Sequence, residues 1–193
     1  GGIPTSFAGI VSILIFSVAV VGLTCFIGRI LQYISPLKQG HFKIAFPTKE
    51  ATIWKLQSFL NLFNLSVLIH TYFVPVTLRG VIYNILGSKI GKNAMIGGKI
   101  IEPFMIEIGN FVILGEDCLV LGHTIVSDRV MLGRIRIGNQ VTIGVKAIIM
   151  PDVEIGDGTV VGAGALVMPH VKIGVGAMVC AGAIVPKNTY IPD

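Results

Sequence analysis

His123 stands in the stretch LGHTIVSDR, a few residues ahead of Asp128 and Arg129, with Arg134 and Arg136 following in GRIR. A neutral imidazole is well suited to take a proton from a hydroxyl or amine near pH 7. On that reading His123 is a general base, and Asp128 fixes its tautomer and orientation. Gly-rich turns nearby would turn backbone N–H groups toward a developing oxyanion. Arg129, Arg134 and Arg136 would hold phosphates. A plainer reading stands beside each. His123 would be a solvated turn residue, and Asp128–Arg129 an exposed loop ion pair worth under about 1 kcal/mol. Arg134 and Arg136, which alternate as on a strand, would equally touch a neighbouring subunit.

The remaining chemistry-bearing residues lead less far. Catalytic zinc wants three protein ligands, and the C-terminal half offers only His123 and His170, so no metal is expected. His170 takes the place of Asp152 in the next copy of a repeat, which reads as an exposed corner. His70, in the second apolar stretch, reads as a packed or interfacial histidine, and His41 has no evident partner. Glu102, Glu107, Glu116 and Asp117, in the early coils, read as a solvated face, with substrate contact as the alternative. Cys25, Cys118 and Cys180 are odd in number, sit in apolar runs and lack metal-type spacing, which points to buried, inert thiols in a reduced compartment.

The elements that position these residues follow from composition and period. The chain has 193 residues, 53% hydrophobic and 13% charged, with mean hydropathy +0.82. So few charges are unusual for a water-soluble globule, and so apolar a chain is not disordered. Every sixth residue from Ile137 is a β-branched aliphatic: Ile137, Ile143, Ile149, Ile155, Val161, Val167, Ile173, Val179 and Val185. The same phase runs upstream through Ile90, Ile96, Ile108, Leu114, Val120 and Val126. A period of eighteen is superimposed, since IMPDVEIGDGTVVGAGALV is followed by VMPHVKIGVGAMVCAGAIV. Six residues make a short strand and turn, and three such units make one coil of a parallel β-solenoid whose aliphatic columns fill the core. Five to six coils are expected over residues 87–193. The register slips once, between Val126 and Ile137, and an excursion from a rigid solenoid is where function is placed.

Residues 1–28 include an uncharged run from Phe7 to Gly28, long enough as a helix to cross a bilayer core of about 30 Å. Up to Thr77 five bases face one acid. This surplus argues for a membrane surface rather than nucleic acid, and places the basic linker, residues 29–55, in the cytoplasm. The stretch Leu56–Val76 carries Gln57, Ser58, Asn61, Asn64 and His70. Polar groups in hydrocarbon are costly, so residues 56–86 are expected to be interfacial, re-entrant or a second membrane helix packed against protein. The absence of an initiating Met suggests a fragment or a processed chain.

The hexapeptide pattern resembles that of the hexapeptide-repeat acyltransferases, which implies an all-β left-handed parallel β-helix, here preceded by one or two membrane helices. More loosely, the layout resembles the membrane-embedded terminal module of nonribosomal peptide synthetase-like and poly-amino-acid synthetase proteins. The shared features are a helix ending in Gly28-Arg29, a basic linker, LGSKIG after a second apolar helix, and the GHTIVSDRVM loop. The resemblance implies a homotrimer with its active site between subunits and His123 catalytic. The donor would be acetyl-CoA or another acyl thioester, with Arg129, Arg134 or Arg136 on phosphates of coenzyme A or a phosphopantetheine arm. The acceptor would be a hydroxyl or amine near the membrane, such as a lipid-linked sugar or a carrier-protein-bound amino acid, with the β-helix on the cytoplasmic side of the cell membrane. A module forming peptide bonds and a non-catalytic trimeric scaffold are the alternatives. The Gly-x-Pro-Ala segment common after the last coil does not precede Asp193.

Overall fold

The structure is a computed structural model that describes residues 5–44, 48–69 and 74–193. His70 lies outside the described residues.

The hexapeptide pattern builds a parallel β-solenoid of about six turns. Its three faces are sheets of six, five and five strands, each strand only two or three residues long. The eighteen-residue period sets the register. Ile137 pairs with Ile155 and Ile155 with Ile173 on the first face; Ile143, Val161 and Val179 line up on the second, and Ile149, Val167 and Val185 on the third. All nine aliphatics are buried, each contributing roughly 1.5–3 kcal/mol by leaving water. Many corners take a left-handed backbone, and residues such as Asp152, His170 and Asn188 accept it as readily as Gly164 and Gly182. Cys118 is buried as expected, but Cys180 is exposed because it falls at an outward corner rather than in a column.

Outside, the faces differ. The first carries a charged ladder in which Glu107 meets Lys89 at 2.9 Å, and Glu154 meets Arg136 at 2.8 Å and Lys172 at 3.2 Å. The outward columns of the other two are largely apolar, with Met95, Ile113, Val160 and Met178 on one and Leu119, Ile148, Leu166 and Ile184 on the other.

Among the described residues three helices precede the solenoid. Helix α1, Thr5–Ile34, runs past Gly28 because nothing from Arg29 to Ile34 breaks a helix. Helix α2, Lys49–Leu68, begins where the Thr48 side chain accepts from the Ala51 N–H, with Glu50 favouring the positive end of the helix dipole. Its first two turns therefore come from the stretch read as linker. Helix α3, Val76–Ile85, covers the open first coil. There Arg79 donates to the carbonyls of Ile96 and Gly97, and the Tyr83 hydroxyl accepts from the Ile100 N–H at 3.1 Å. Burial pushes the Tyr83 hydroxyl up to about 12.

Helices α1 and α2 pack together, and α2 is inside out. Leu56, Phe59 and Leu62 point outward, whereas Gln57, Asn61 and Asn64 are buried. Helix α1 is apolar from Ala8 to Ile34, 27 residues with a mean hydropathy of 2.8 in its most apolar window, and by length and composition it could cross a membrane.

Candidate functional site

One excursion leaves the solenoid. After the strand ending at Leu121 the chain rises into a hairpin, His123–Val126 paired antiparallel with Arg129–Leu132, and returns at Gly133. The neck is closed by Gly133 N–H donating to Gly122 O at 3.0 Å. A Cβ at Gly133 would lie 2.4 Å from the Asp152 backbone nitrogen, so only glycine lets the chain re-enter there. The excursion begins earlier than the slip after Val126 suggests. Val126 keeps the hexapeptide phase by coincidence; it sits in the hairpin and is exposed.

The basic segment adds a third strand. Gly40–Lys43 pairs antiparallel with Arg129–Leu132, and Ile44 N–H donates to Asp128 O at 2.7 Å. His41, read as unpartnered, lies opposite Met131 in this strap. Side chains alternate across a sheet, so the hairpin is a partition. His123, Val130 and Phe42 share one face; Thr124, Met131 and His41 share the other.

On the first face, Trp54 of α2 stands edge-on to both Phe42 and His123, with ring centroids 6.0 and 5.3 Å apart. The carboxylate that meets His123 is Glu102, with Oε1 2.7 Å from Nδ1. The side chains are 24% exposed for His123 and 2% for Glu102. The approach is too oblique for an aligned hydrogen bond, so His123 Nδ1 and Glu102 Oε2 are buried polar atoms without a hydrogen-bond partner among the described residues. Glu102 reaches this place from a left-handed corner with φ 55° just before the short helix Pro103–Met105, and Gly122 stacks against it. Reading Glu102 as solvated was a misplacement. Its signal is its phase: residue 102 falls six after Ile96 and six before Ile108, where an aliphatic belongs. The coil accommodates the carboxylate by turning Ile100 inward instead.

Asp128 is not beside His123. It lies at the hairpin tip, roughly 13 Å or more along the strand by its rise, exposed and 3.9 Å from Arg129. Nor do the three arginines converge. Arg129 is at the tip, while Arg134 and Arg136 lie on the charged first face, within 3.6 and 3.8 Å of Glu107. Hydrogen bonding to Lys89, with the charges of Lys89, Arg134 and Arg136, holds the Glu107 carboxyl below its ordinary range.

On the partition's other face lies a groove of about 690 Å³, lined by Met131, Met150, Met168, Arg129, His170 and Lys187 among others. His170 is half-exposed at its corner, as its place in the repeat indicates, and its Nδ1 lies 2.6 Å from Asp152 Oδ2. Among the described residues no group of three His, Cys, Asp or Glu side chains could hold a metal ion.

Residues 134–168 match the bacterial transferase hexapeptide family model, described as six repeats. The chain thus carries hexapeptide repeats of the bacterial transferase type. No match was found among curated protein sequences. Among solved structures it is similar to a hexapeptide transferase family protein from Anaplasma phagocytophilum, at 24% identity and TM-score 0.45 over 54% of this chain. It is also similar to a perosamine N-acetyltransferase mutant from Caulobacter crescentus, solved with CoA and GDP-perosamine, at 21% identity and TM-score 0.35 over 55%. A hexapeptide-repeat acetyltransferase from Vibrio cholerae gives 18% identity and TM-score 0.31 over 52%. The chain spans 58%, 45% and 57% of these three proteins, less than two thirds of each.

Proposed function

We propose that this protein is a membrane-anchored acyltransferase that moves an acyl group from a thioester, acetyl-CoA or a carrier-borne equivalent, to a hydroxyl or amine at the membrane surface. The observation that carries the reading is the Glu102–His123 pair, half-enclosed by Trp54 at the foot of the one hairpin that leaves the described solenoid. Glu102 facing Nδ1 favours the tautomer with its proton there, which leaves Nε2 to act. In the reaction Nε2 takes the proton of the acceptor O–H or N–H as that atom attacks the thioester carbonyl. The tetrahedral oxyanion collapses, the C–S bond breaks, and the thiolate recovers the proton from Nε2. Glu102 is a positioning residue, not a reacting one.

Anchoring is supported by the apolar α1 and the inverted α2, whose exposed face suits lipid. The basic strap beside the hairpin favours the cytoplasmic side. The two apolar outer faces of the solenoid favour a homotrimer that leaves the charged ladder to solvent. The donor's phosphates fall to Arg129 at the hairpin tip, whose link to Asp128 is loose, because Arg134 and Arg136 on the ladder are engaged by Glu107 and Glu154.

The test is thiol release from acetyl-CoA by detergent-solubilised protein with candidate acceptors. Replacement His123→Ala should lower turnover by about 100-fold or more while assembly is unchanged. Equal release by the variant would overturn the assignment and favour a trimeric scaffold.

A further inference from the structure

The basic segment that follows α1 folds around a pocket. Ile34 ends α1, residues 35–39 lead into the strap, and the first turn of α2 returns beside them. Between these pieces lies a cavity of about 360 Å³ whose lining includes Ile34, Ile53, Ser35, Lys38, Lys49 and Glu50. Among the described residues the side chains of Lys38, Lys49 and Glu50 have no ion-pair or hydrogen-bond partner. The charged ladder of the solenoid is the contrast, since Glu107 and Glu154 each meet two or more bases there. Charges that share a pocket without pairing are free to meet a group from outside.

The height of the pocket says which group. Helix α1 has 30 residues and is about 45 Å long, which matches a bilayer together with its headgroup layers. The uncharged run stops at Gly28, so Ile34 and the pocket beyond it come at the level of the lipid headgroups. Tyr33 and Ile34 are 89% and 69% exposed there, as suits the membrane boundary, where tyrosine is enriched. The solenoid is held at the same height, because Gln32 Nε2 donates to Leu86 O at 3.1 Å.

The charge of the pocket narrows the choice. Lys38 and Lys49 against Glu50 leave one net positive charge. That suits a phosphodiester, with its single negative charge, better than a phosphate monoester, which carries about −1.5 to −2 at pH 7. Lysine ammonium groups meet phosphate as point charges, the Ser35 hydroxyl donates as well, and Glu50 accepts from a headgroup hydroxyl. We propose that this pocket binds the headgroup of an anionic phospholipid, its phosphodiester between Lys38 and Lys49, and so sets the depth at which His123 stands over the membrane. The site needs the membrane anchor of the function proposed above but none of its acyl chemistry.

Trp54 is the chain's one tryptophan and reports the pocket. Its neighbour Ile53 lines the cavity, as does Phe42, whose ring centroid is 6.0 Å from the indole. The full chain would be reconstituted in phosphatidylcholine nanodiscs, and its emission quenched with brominated-chain phosphatidylglycerol or brominated-chain phosphatidylcholine. Phosphatidylglycerol should associate about fivefold more tightly, the gain expected for one net charge at a membrane surface. Replacement Lys49→Gln should abolish that preference, as should Lys38→Gln. Lys55→Gln, an equal loss of charge outside the lining, should leave it within about twofold. Glycerophosphoglycerol, the same headgroup without chains, and inorganic phosphate are the soluble arms. If the soluble diester alters the emission as strongly as the lipid, the phosphodiester site stands and its source is soluble. Equal association of the two lipids, inorganic phosphate binding as tightly as the diester, or a Lys55→Gln loss as large as that of Lys49→Gln would overturn the proposal. A chain that stays out of the discs would sink the membrane anchor instead; the soluble diester then decides the pocket, and no response to it overturns the site.

Discussion

Glu102 Oε1 lies 2.7 Å from His123 Nδ1, although three strands, one full coil of the solenoid, separate the residues along the chain. The pair exists because the solenoid stacks the corner holding Glu102 against Gly122, where the hairpin departs. It sets a buried carboxylate against the imidazole, which Asp128, at the exposed tip, cannot do.

The first prediction separates the two carboxylates. Glu102→Gln should lower kcat for thiol release by about 10–100-fold with KM little changed, because it removes orientation without removing the base. Asp128→Asn should stay within about twofold, and so should His170→Ala, whose ring serves the opposite face of the partition. Steady-state kinetics on the three variants decide it; an Asp128→Asn loss as large as that of Glu102→Gln would return the orienting role to the tip.

The neck glycines divide structure from function. At Gly133 a new Cβ would press on the Asp152 backbone, so Gly133→Ala should cost about 1–3 kcal/mol and lower the melting temperature. At Gly122 the new Cβ would come 3.0 Å from the Glu102 Cβ and 3.1 Å from that of Met105. Gly122→Ala should therefore push Glu102 off His123 and lose turnover out of proportion to stability. Calorimetry beside thiol-release rates checks both.

Much of this was legible in the residues. The β-branched period specifies the solenoid, its register and its buried columns, because inward packing leaves each sixth position little choice. The candidate site was half legible. His123 and an excursion could be read, but the excursion's start was concealed by Val126 keeping phase, and Glu102 was concealed by being acidic. Its partner depends on which corner stacks on which, a relation between coils rather than along one. The inverted burial of α2 was visible only as an excess of Gln and Asn in an apolar stretch, since their common face becomes evident only with α1 and the hairpin in place.

Alkaline unfolding should report the cap of the first coil. An unfolded tyrosine ionises near pH 10, whereas burial moves Tyr83 to about 12. The neutral hydroxyl therefore contributes its full stability below pH 10, and that share is lost as the pH rises from 10 through 12. Tyr83→Phe should be less stable at pH 7 by about 1–3 kcal/mol, because the Ile100 N–H loses its acceptor. It should also lose less further stability than the parent between pH 10 and 12. Denaturant melts across that range would show the two curves converging; parallel curves would mean Tyr83 ionises without cost.

Thiol chemistry should read the solenoid's inside and outside in one experiment. Cys180 is exposed, whereas Cys118 is buried, with burial pushing its thiol to about 12. Only a thiolate attacks a disulfide reagent, so at pH 8 Cys180 should react with Ellman's reagent within minutes. Cys118 should react only as fast as the first coils open, and denaturant should release it abruptly. A Cys180→Ala background with Cys25→Ala isolates the slow thiol, and its rate then measures the opening of the coils that hold Glu102 against His123. If that thiol reacts as fast as Cys180 in the native protein, the corner is too mobile to hold the pair, and catalysis must take its orientation from elsewhere.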